Sequence, residues 1–257
     1  LTEKQALAAC GQGYLIHKYS EIFLDKGLNV AQILLTSDDI SDRKRYLNAK
    51  NTFETLLEKK IIPVVNENDT VATSEIKLGD NDNLSAEVAS LIEADLLIIL
   101  SDVEGFYDKD PSSFSDVKII EVVDSPEKYL KKATSKSGSK VGTGGILTKL
   151  QAARKATLVG IPVVLAKGKK DNVVIDILKG EKIGTLFLPK TEKISHKKYF
   201  LAFNIKPKGK IYVDDGAKDA IVKKGKSLLP SGIYKVAGNF KTGDVVEILT
   251  KDGNPIA

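Results

Sequence analysis

Apolar positions recur along this chain with two rhythms, and the rhythm changes once. Leu7, Leu15, Tyr19, Ile22 and Phe23 fall at helical spacing, which predicts a helix that buries this face. Thr2-Glu3-Lys4-Gln5 has the form of a capping box at its start, and Gly27 suits a left-handed stop. Val30 to Leu35 reads as a strand. A helix capped by Ser37 or Asp38 then carries Tyr46, Leu47, Phe53, Leu56 and Leu57. Ile61 to Val65 is apolar throughout, as a strand covered on both faces should be. Helical spacing returns at Leu84, Val88, Leu91 and Ile92, and Asp95 to Leu100 follows as the strongest strand pattern. A helix from about Leu147 to Val159, a strand at Ile161 to Leu165, a short helix from Asp171 to Leu178 and a strand at Ile183 to Leu188 complete this part. Strands separated by helices of this length imply right-handed crossovers and a mostly parallel sheet.

The rhythm shifts after Lys190. Residues 190–205 open with a polar, lysine-rich run that reads as a linker. Beyond it, short β-like runs at Ile211 to Val213, Ile233 to Val236 and Val245 to Leu249 are separated by Asp-Gly, Pro-Ser-Gly and Thr-Gly turns. The expected organisation is an α/β domain over 1–189 and a small β-rich domain over 206–257.

Composition narrows the class. The chain has 257 residues, 42% of them hydrophobic and 28% charged, as in a globular protein. No stretch approaches the ~18 consecutive apolar residues of a membrane span. A single cysteine, Cys10, excludes an internal disulfide and fits a reducing cytoplasmic setting; on its helix it reads as a small buried apolar residue. The net charge of +5 is uneven, because Lys206 to Ala257 holds ten lysines against six carboxylates. That surplus is compatible with nucleic acid and more often marks a solvated lysine-rich surface. Tyr199, Phe200 and Phe203 are the aromatic residues interleaved with basic ones near this region. There is no methionine, and the chain opens at Leu1, so a segment N-terminal to it is expected.

The chemistry concentrates in two loops. Asn66 to Ser85 is dense in carboxylates and amides around the one lysine Lys77, and lies between a strand and a helix, where open α/β sheets hold ligands. Asp80 and Asn83 also suit a helix cap there. Thr134 to Gly145 is rich in Ser, Gly and Lys and reads as a mobile loop. Its end, Gly142 to Lys149, brings glycines and a lysine to the opening of a helix, where backbone N–H groups can approach phosphate. Neither a Walker A nor a G-x-G-x-x-G spacing is present. The pattern by itself leaves phosphate binding and an ordinary flexible loop both open. His17 and His196 have no partners at metal-ligand spacing, and Tyr107 reads as a packing residue.

Four motifs in order point to a family. Asn66-Glu67-Asn68-Asp69 is followed by Gly79-Asp80-Asn81-Asp82, a strand end Ser101-Asp102-x-x-Gly105-x-Tyr107, and Gly142-Thr143-Gly144-Gly145-x-x-Thr148-Lys149. Together with the run Gln5 to Leu15 and the C-terminal runs Ser227 to Ile233 and Gly238 to Ile248, the chain resembles the glutamate 5-kinases of the amino acid kinase superfamily, with a PUA-like domain at the C-terminus. The resemblance implies a three-layer α/β/α amino acid kinase fold with a mostly parallel central sheet. It implies transfer of the ATP γ-phosphoryl group to the side-chain carboxylate of L-glutamate, the first step of proline biosynthesis, with ATP and Mg²⁺ as cofactors.

Carried over by residue, Asp69 and Asn81 would bind glutamate, Asp69 at its ammonium group and Asn81 at its α-carboxylate. Asp82, Lys77 and Lys149 would be catalytic, Asp82 by orienting lysines. Ser101, Asp102 and the run Thr143, Gly144, Gly145, Ile146, Leu147, Thr148 and Lys149 would bind ATP. The resemblance further implies a homo-oligomer, dimer or tetramer, and feedback inhibition by proline. The family's opening strand carries a phosphate-contacting lysine, and the next segment a serine-glycine pair that touches glutamate. Neither appears here, so this stretch of chain alone is expected to be a fragment of an active kinase, inactive by itself, with a shortened PUA-like domain. The alternatives are another amino acid kinase, acting on acetylglutamate or aspartate, and an RNA-binding protein working through the basic C-terminal domain.

Overall fold

A computed structural model of the chain describes residues 2–71, 81–111, 113–135, 144–191, 194–205 and 207–256. Two compact units divide it, Leu1–Lys198 and Tyr199–Ala257.

The first unit opens with helix α1 (Thr2–Leu24), strand β1 (Val30–Leu35), helices α2 (Ser37–Ser41) and α3 (Arg43–Glu58), and strand β2 (Ile62–Glu67). Helix α4 (Asn81–Leu91) leads to β3 (Leu97–Ser101), and β4 (Val122–Val123) precedes α5 (Pro126–Ser135). Helix α6 (Gly144–Leu158), β5 (Val163–Lys167), α7 (Val173–Leu178), β6 (Thr185–Phe187) and the short α8 (His196–Tyr199) follow. β1 and β2 pair in parallel, with Val30 opposite Ile62 and Leu35 opposite Glu67. A second sheet runs in the order β3-β5-β6-β4. Its β3–β5 and β4–β6 pairs are parallel, and its β5–β6 pair is antiparallel.

Helices cover both faces of these strands. Leu35, Ile40, Phe53, Leu84 and Leu91 form one core with Ile33, Tyr46, Val65 and Val88 around it, packing α3 and α4 against β1 and β2. In the second sheet, Val164 and Ala166 of β5 meet Val173 and Ile177 of α7. Because alternate side chains of a strand face opposite sides, β5 is buried at every position from Val163 to Ala166. Between β2 and β3 lies a cleft of about 400 Å³ floored by α4 and lined by Pro63, Val65, Leu84, Val88, Leu96 and Leu97.

Several expectations are corrected here. α1 forms as predicted and the chain turns at Gly27, whose φ of +71° is left-handed. It does not bury its apolar face: Leu7, Leu15, Tyr19 and Ile22 are exposed, and only Phe23 among the five is half-covered. Helical spacing identifies the apolar face of a helix, not what lies over it, and among the described residues little beyond β1 packs on α1. For the same reason Cys10 is exposed, not buried. Thr2 is itself helical, inside the element it was expected to cap. The helix expected after Ser37 is two helices. Thr36 caps α2 in a capping box with Asp39, and Asp42 then accepts from the Arg45 N–H to start α3.

The second unit holds a π-helical turn at Phe200–Asn204, then β7 (Gly209–Val213), α9 (Asp215–Val222), β8 (Ile233–Gly238) and β9 (Val246–Thr250). Its sheet has the order β8-β7-β9, with β8 antiparallel and β9 parallel to β7. Tyr199 and Phe200 are buried, and the Tyr199 and Phe203 rings pack 4.9 Å apart. They serve the interior and do not form an aromatic–basic surface. Such pairs form elsewhere: Lys235 lies over the Tyr212 ring of its paired strand at 5.5 Å, and Lys251, in the turn after β9, lies over the exposed Tyr234 ring at 5.4 Å. No described helix is long and apolar enough to cross a membrane.

Candidate active site

The site forms where strands of the first unit end and helices begin. β2 runs out at Glu67, and the Asn68 N–H donates to the Leu35 carbonyl, which keeps the chain beside β1 for one more residue. Asp69, half-buried, sits in the turn that follows. Just before it, the Asn66 amide donates to Gln12 Oε1 at 2.9 Å and its own oxygen accepts from the Glu67 N–H. Gln12 thus ties α1 to the end of β2, a contact that no spacing rule would have pointed out.

The chain is next described at Asn81, the first residue of α4. Asn81 is exposed, at the rim of the cleft between β2 and β3. Asn83, one possible cap, lies inside the helix and is buried; Asp80 falls outside the described residues, as does Lys77.

Asp82 carries the decisive contact. Its Oδ2 accepts from Lys149 Nζ at 2.8 Å, and Thr148 Oγ1 stands 3.0 Å from the same oxygen. Thr148 also lies 3.0 Å from the Gly145 carbonyl, so its one proton is shared between two acceptors. The ion pair is mostly covered, with Lys149 and Asp82 side chains 17% and 18% exposed. A shielded pair is screened less than a surface one, so it holds its geometry more firmly. Residues 67 positions apart in sequence therefore meet at the N-terminal ends of two helices.

Those helix ends matter. α6 begins at Gly144, and its first N–H groups have no partner within the helix, which gives that end a partial positive charge. Gly144, Gly145, Ile146, Leu147, Thr148 and Lys149 all lie in its opening turns, whereas Thr143 is outside the described residues. Across the site, Ser101 closes β3 and donates from Oγ to Asp102 Oδ1 at 3.0 Å. That hydrogen bond, with the N–H groups of Asp102 and Val103 and the charge of Lys149, holds the Asp102 carboxyl below the usual range. Lys149 thus interacts electrostatically with Asp102 as well as pairing with Asp82.

Gly105 completes the turn after β3. A Cβ there would come within 2.8 Å of Thr185 Oγ1, which accepts from the Phe106 N–H. Only glycine permits that approach, and it fixes the path of the chain leaving Asp102. Tyr107 makes an isolated antiparallel bridge to Ile119. His17 is exposed beside Glu21, and the His196 side chain is not described. Among the described residues, no group of His, Cys, Asp and Glu stands at metal-holding spacing.

Comparisons with known proteins place the chain in a family. The amino acid kinase family matches residues 1–167, and the PUA domain matches residues 209–257. A glutamate 5-kinase of Caldanaerobacter subterraneus is 54% identical over 257 residues, all of this chain and 69% of that protein. The glutamate 5-kinase of Dictyoglomus turgidum is 52% identical over 258 residues, again all of this chain and 69% of that protein. Among solved structures, an isopentenyl phosphate kinase of T. acidophilum is 17% identical and aligns with a TM-score of 0.45 over 71% of this chain and 69% of its own. A UMP kinase of Bacillus anthracis is 15% identical, with a TM-score of 0.42 over 64% and 60%. With the family matched over most of the chain and half the residues shared with these relatives from end to end, the chain belongs to the amino acid kinase family, in its glutamate 5-kinase branch.

Proposed function

We propose that this protein is a kinase that transfers the γ-phosphoryl group of ATP to the side-chain carboxylate of L-glutamate. The observation that supports it best is the Lys149–Asp82 pair, with Thr148 beside it, joining the phosphate-type helix end of α6 to the amide-rich loop that ends in α4. The relatives' shared identity as glutamate 5-kinases gives the substrate.

Each residue has a physical role in that reading. Asp69 receives the glutamate ammonium group and Asn81 its α-carboxylate. Lys149 faces the transferring phosphoryl group, where an ammonium offsets charge that spreads over three oxygens in the transition state. Asp82 orients Lys149 and keeps its charge fixed before reaction, so little reorganisation is needed. Ser101, Asp102 and residues 143–149 hold the nucleotide. Lys77 serves as a second cation at the transferring group. No general base is required, because the acceptor carboxylate is already ionised at neutral pH.

The residues present fit ATP: a helix N-terminus, a hydroxyl and a covered lysine converge where a triphosphate needs donors. They fit Mg²⁺ as a companion of the phosphates, held mainly by phosphate oxygens and water, with Asp82 and Asp102 as the nearby carboxylates. The metal would draw charge from the phosphates.

The reading extends to the whole protein. The kinase domain spans 1–189, residues 190–205 connect, and 206–257 form the PUA-like domain. The protein works in the cytoplasm as a dimer or tetramer, and proline, the pathway's end product, inhibits at a site overlapping that of glutamate. A second reading rests on the Lys235–Tyr212 and Lys251–Tyr234 pairs: such basic–aromatic pairs suit RNA bases and phosphates.

An assay with ATP and glutamate tests the first reading. Lys149→Ala should chiefly slow turnover, and Asp69→Ala should chiefly raise the glutamate requirement. Equal activity on N-acetylglutamate or aspartate would instead favour another amino acid kinase.

A further inference from the structure

A second ion pair lies deeper along the same two helices. Glu87, on α4, is only 2% exposed. Its Oε1 accepts from Lys155 Nζ, on α6, at 2.8 Å. Glu87 follows Asp82 by five residues and Lys155 follows Lys149 by six. Both contacts therefore run in one direction along the helices, separated by roughly 8 Å of helix. The pair is a second rung below the catalytic one.

Stability alone does not account for it. A buried carboxylate is costly to desolvate, and apolar residues of similar volume often serve a core as well or better. What an ion pair adds is a directional preference for one partner at one height. These helices need such a marker, because their buried positions include Ala86 and Ala89 on one and Ala152, Ala153 and Ala156 on the other. Small side chains raise shallow ridges, and shallow ridges define axial register weakly. The turn just beyond α4 is also held by charge. Lys50 of α3 donates to Glu93 at 2.7 Å, and burial with the Glu87 and Glu93 carboxylates pushes the Tyr46 phenol up to about 12.

We propose that Glu87 and Lys155 are positioning residues for phosphoryl transfer, locking α6 against α4 at the height where Lys149 and Thr148 meet Asp82. This rests on the reading of Asp82 and Lys149 as the catalytic pair. A misplacement of about 1 Å at a reacting group can cost on the order of a hundredfold in rate, so a loosened register should show in turnover.

The test is a kinetic cycle in the full-length protein, with melting temperatures measured on the same variants. Lys155→Met should lower kcat about tenfold or more, with KM for ATP and glutamate little changed. In an Asp82→Asn background, already slow, Lys155→Met should cost less than about twofold further, while the two effects on melting temperature simply add. Lys155→Arg, which keeps the charge, should recover most of the turnover. Glu87→Leu with Lys155→Met removes both buried charges together; it should keep the stability and still lose the turnover. Wild-type kcat in the double apolar variant overturns the proposal, as does an equal fall from Lys155→Met in both backgrounds. Wild-type kcat in Asp82→Asn alone would refute the catalytic reading itself and this proposal with it.

Discussion

Asp82 shows how one side chain can join two distant segments. Its carboxylate is held by an ammonium and approached by a hydroxyl from the same helix end, so it fixes Lys149 without lying on the phosphate-binding loop. The sequence motifs named both partners, but their contact could not be read from spacing, because 67 residues intervene. Gln12 and Glu87 were missed for a related reason: each acts through a partner on another element and belongs to no local pattern. Asp102 gives a testable consequence at this scale. Its folded-state pKa is depressed first by the Ser101 hydroxyl, so it should stay ionised through the range where ordinary aspartates gain a proton, about 4. Ser101→Ala should move its titration upward toward that ordinary value, as followed by NMR. An unmoved titration would show that the hydroxyl is not what holds the carboxylate.

Strands were the most legible elements, since apolar runs such as Ile62 to Val65 and Leu97 to Ile99 leave few other options. Strand direction was less so: β6 runs antiparallel to β5, and nothing in three residues of Thr-Leu-Phe records which way they point. The break between α2 and α3 was hidden because two caps, Thr36 and Asp42, stand six residues apart inside what reads as one polar-to-apolar helix. The α2 cap also predicts an acid response. Burial raises the Asp39 pKa, but hydrogen bonds from the Thr36 side chain and backbone and from Arg45 outweigh it, and the net shift is downward. A carboxylate depressed in the folded state contributes stability above its unfolded value, about 3.9, and loses it as pH falls through the folded value. Asp39→Asn should therefore lower stability at neutral pH, by about 1 kcal/mol for weakened hydrogen bonds to the Thr36 N–H and hydroxyl, and the difference from wild type should shrink in acid below pH 4. Denaturant unfolding at pH 7 and pH 3 would check it; an undiminished difference at pH 3 would contradict the assignment.

At the scale of the whole molecule, the compact units divide between Lys198 and Tyr199, and residues 196–204 are helical where a polar linker was expected. The surplus lysines lie mainly in the second unit, where the basic–aromatic pairs join residues 17 or more positions apart and so escaped a linear search. If those pairs bind RNA, affinity in the full chain should fall steeply with salt as counterions are released, and Lys235→Ala with Lys251→Ala should reduce that slope by roughly one to two units. Binding that is flat in salt, or unaltered by both substitutions, would leave the pairs as surface packing. The exposed apolar side of α1 is the feature least legible in the sequence, because periodicity says nothing of a helix's neighbours.

The central claim is that an amino-acid loop and a phosphate loop share one site through Asp82 and Lys149. Steady-state kinetics of ATP-dependent glutamate phosphorylation by the full-length protein and by its Lys149→Ala variant test it most directly. The account predicts a fall in kcat of about a hundredfold or more, with the KM for glutamate within about threefold of wild type. Turnover by Lys149→Ala at the wild-type rate would contradict it.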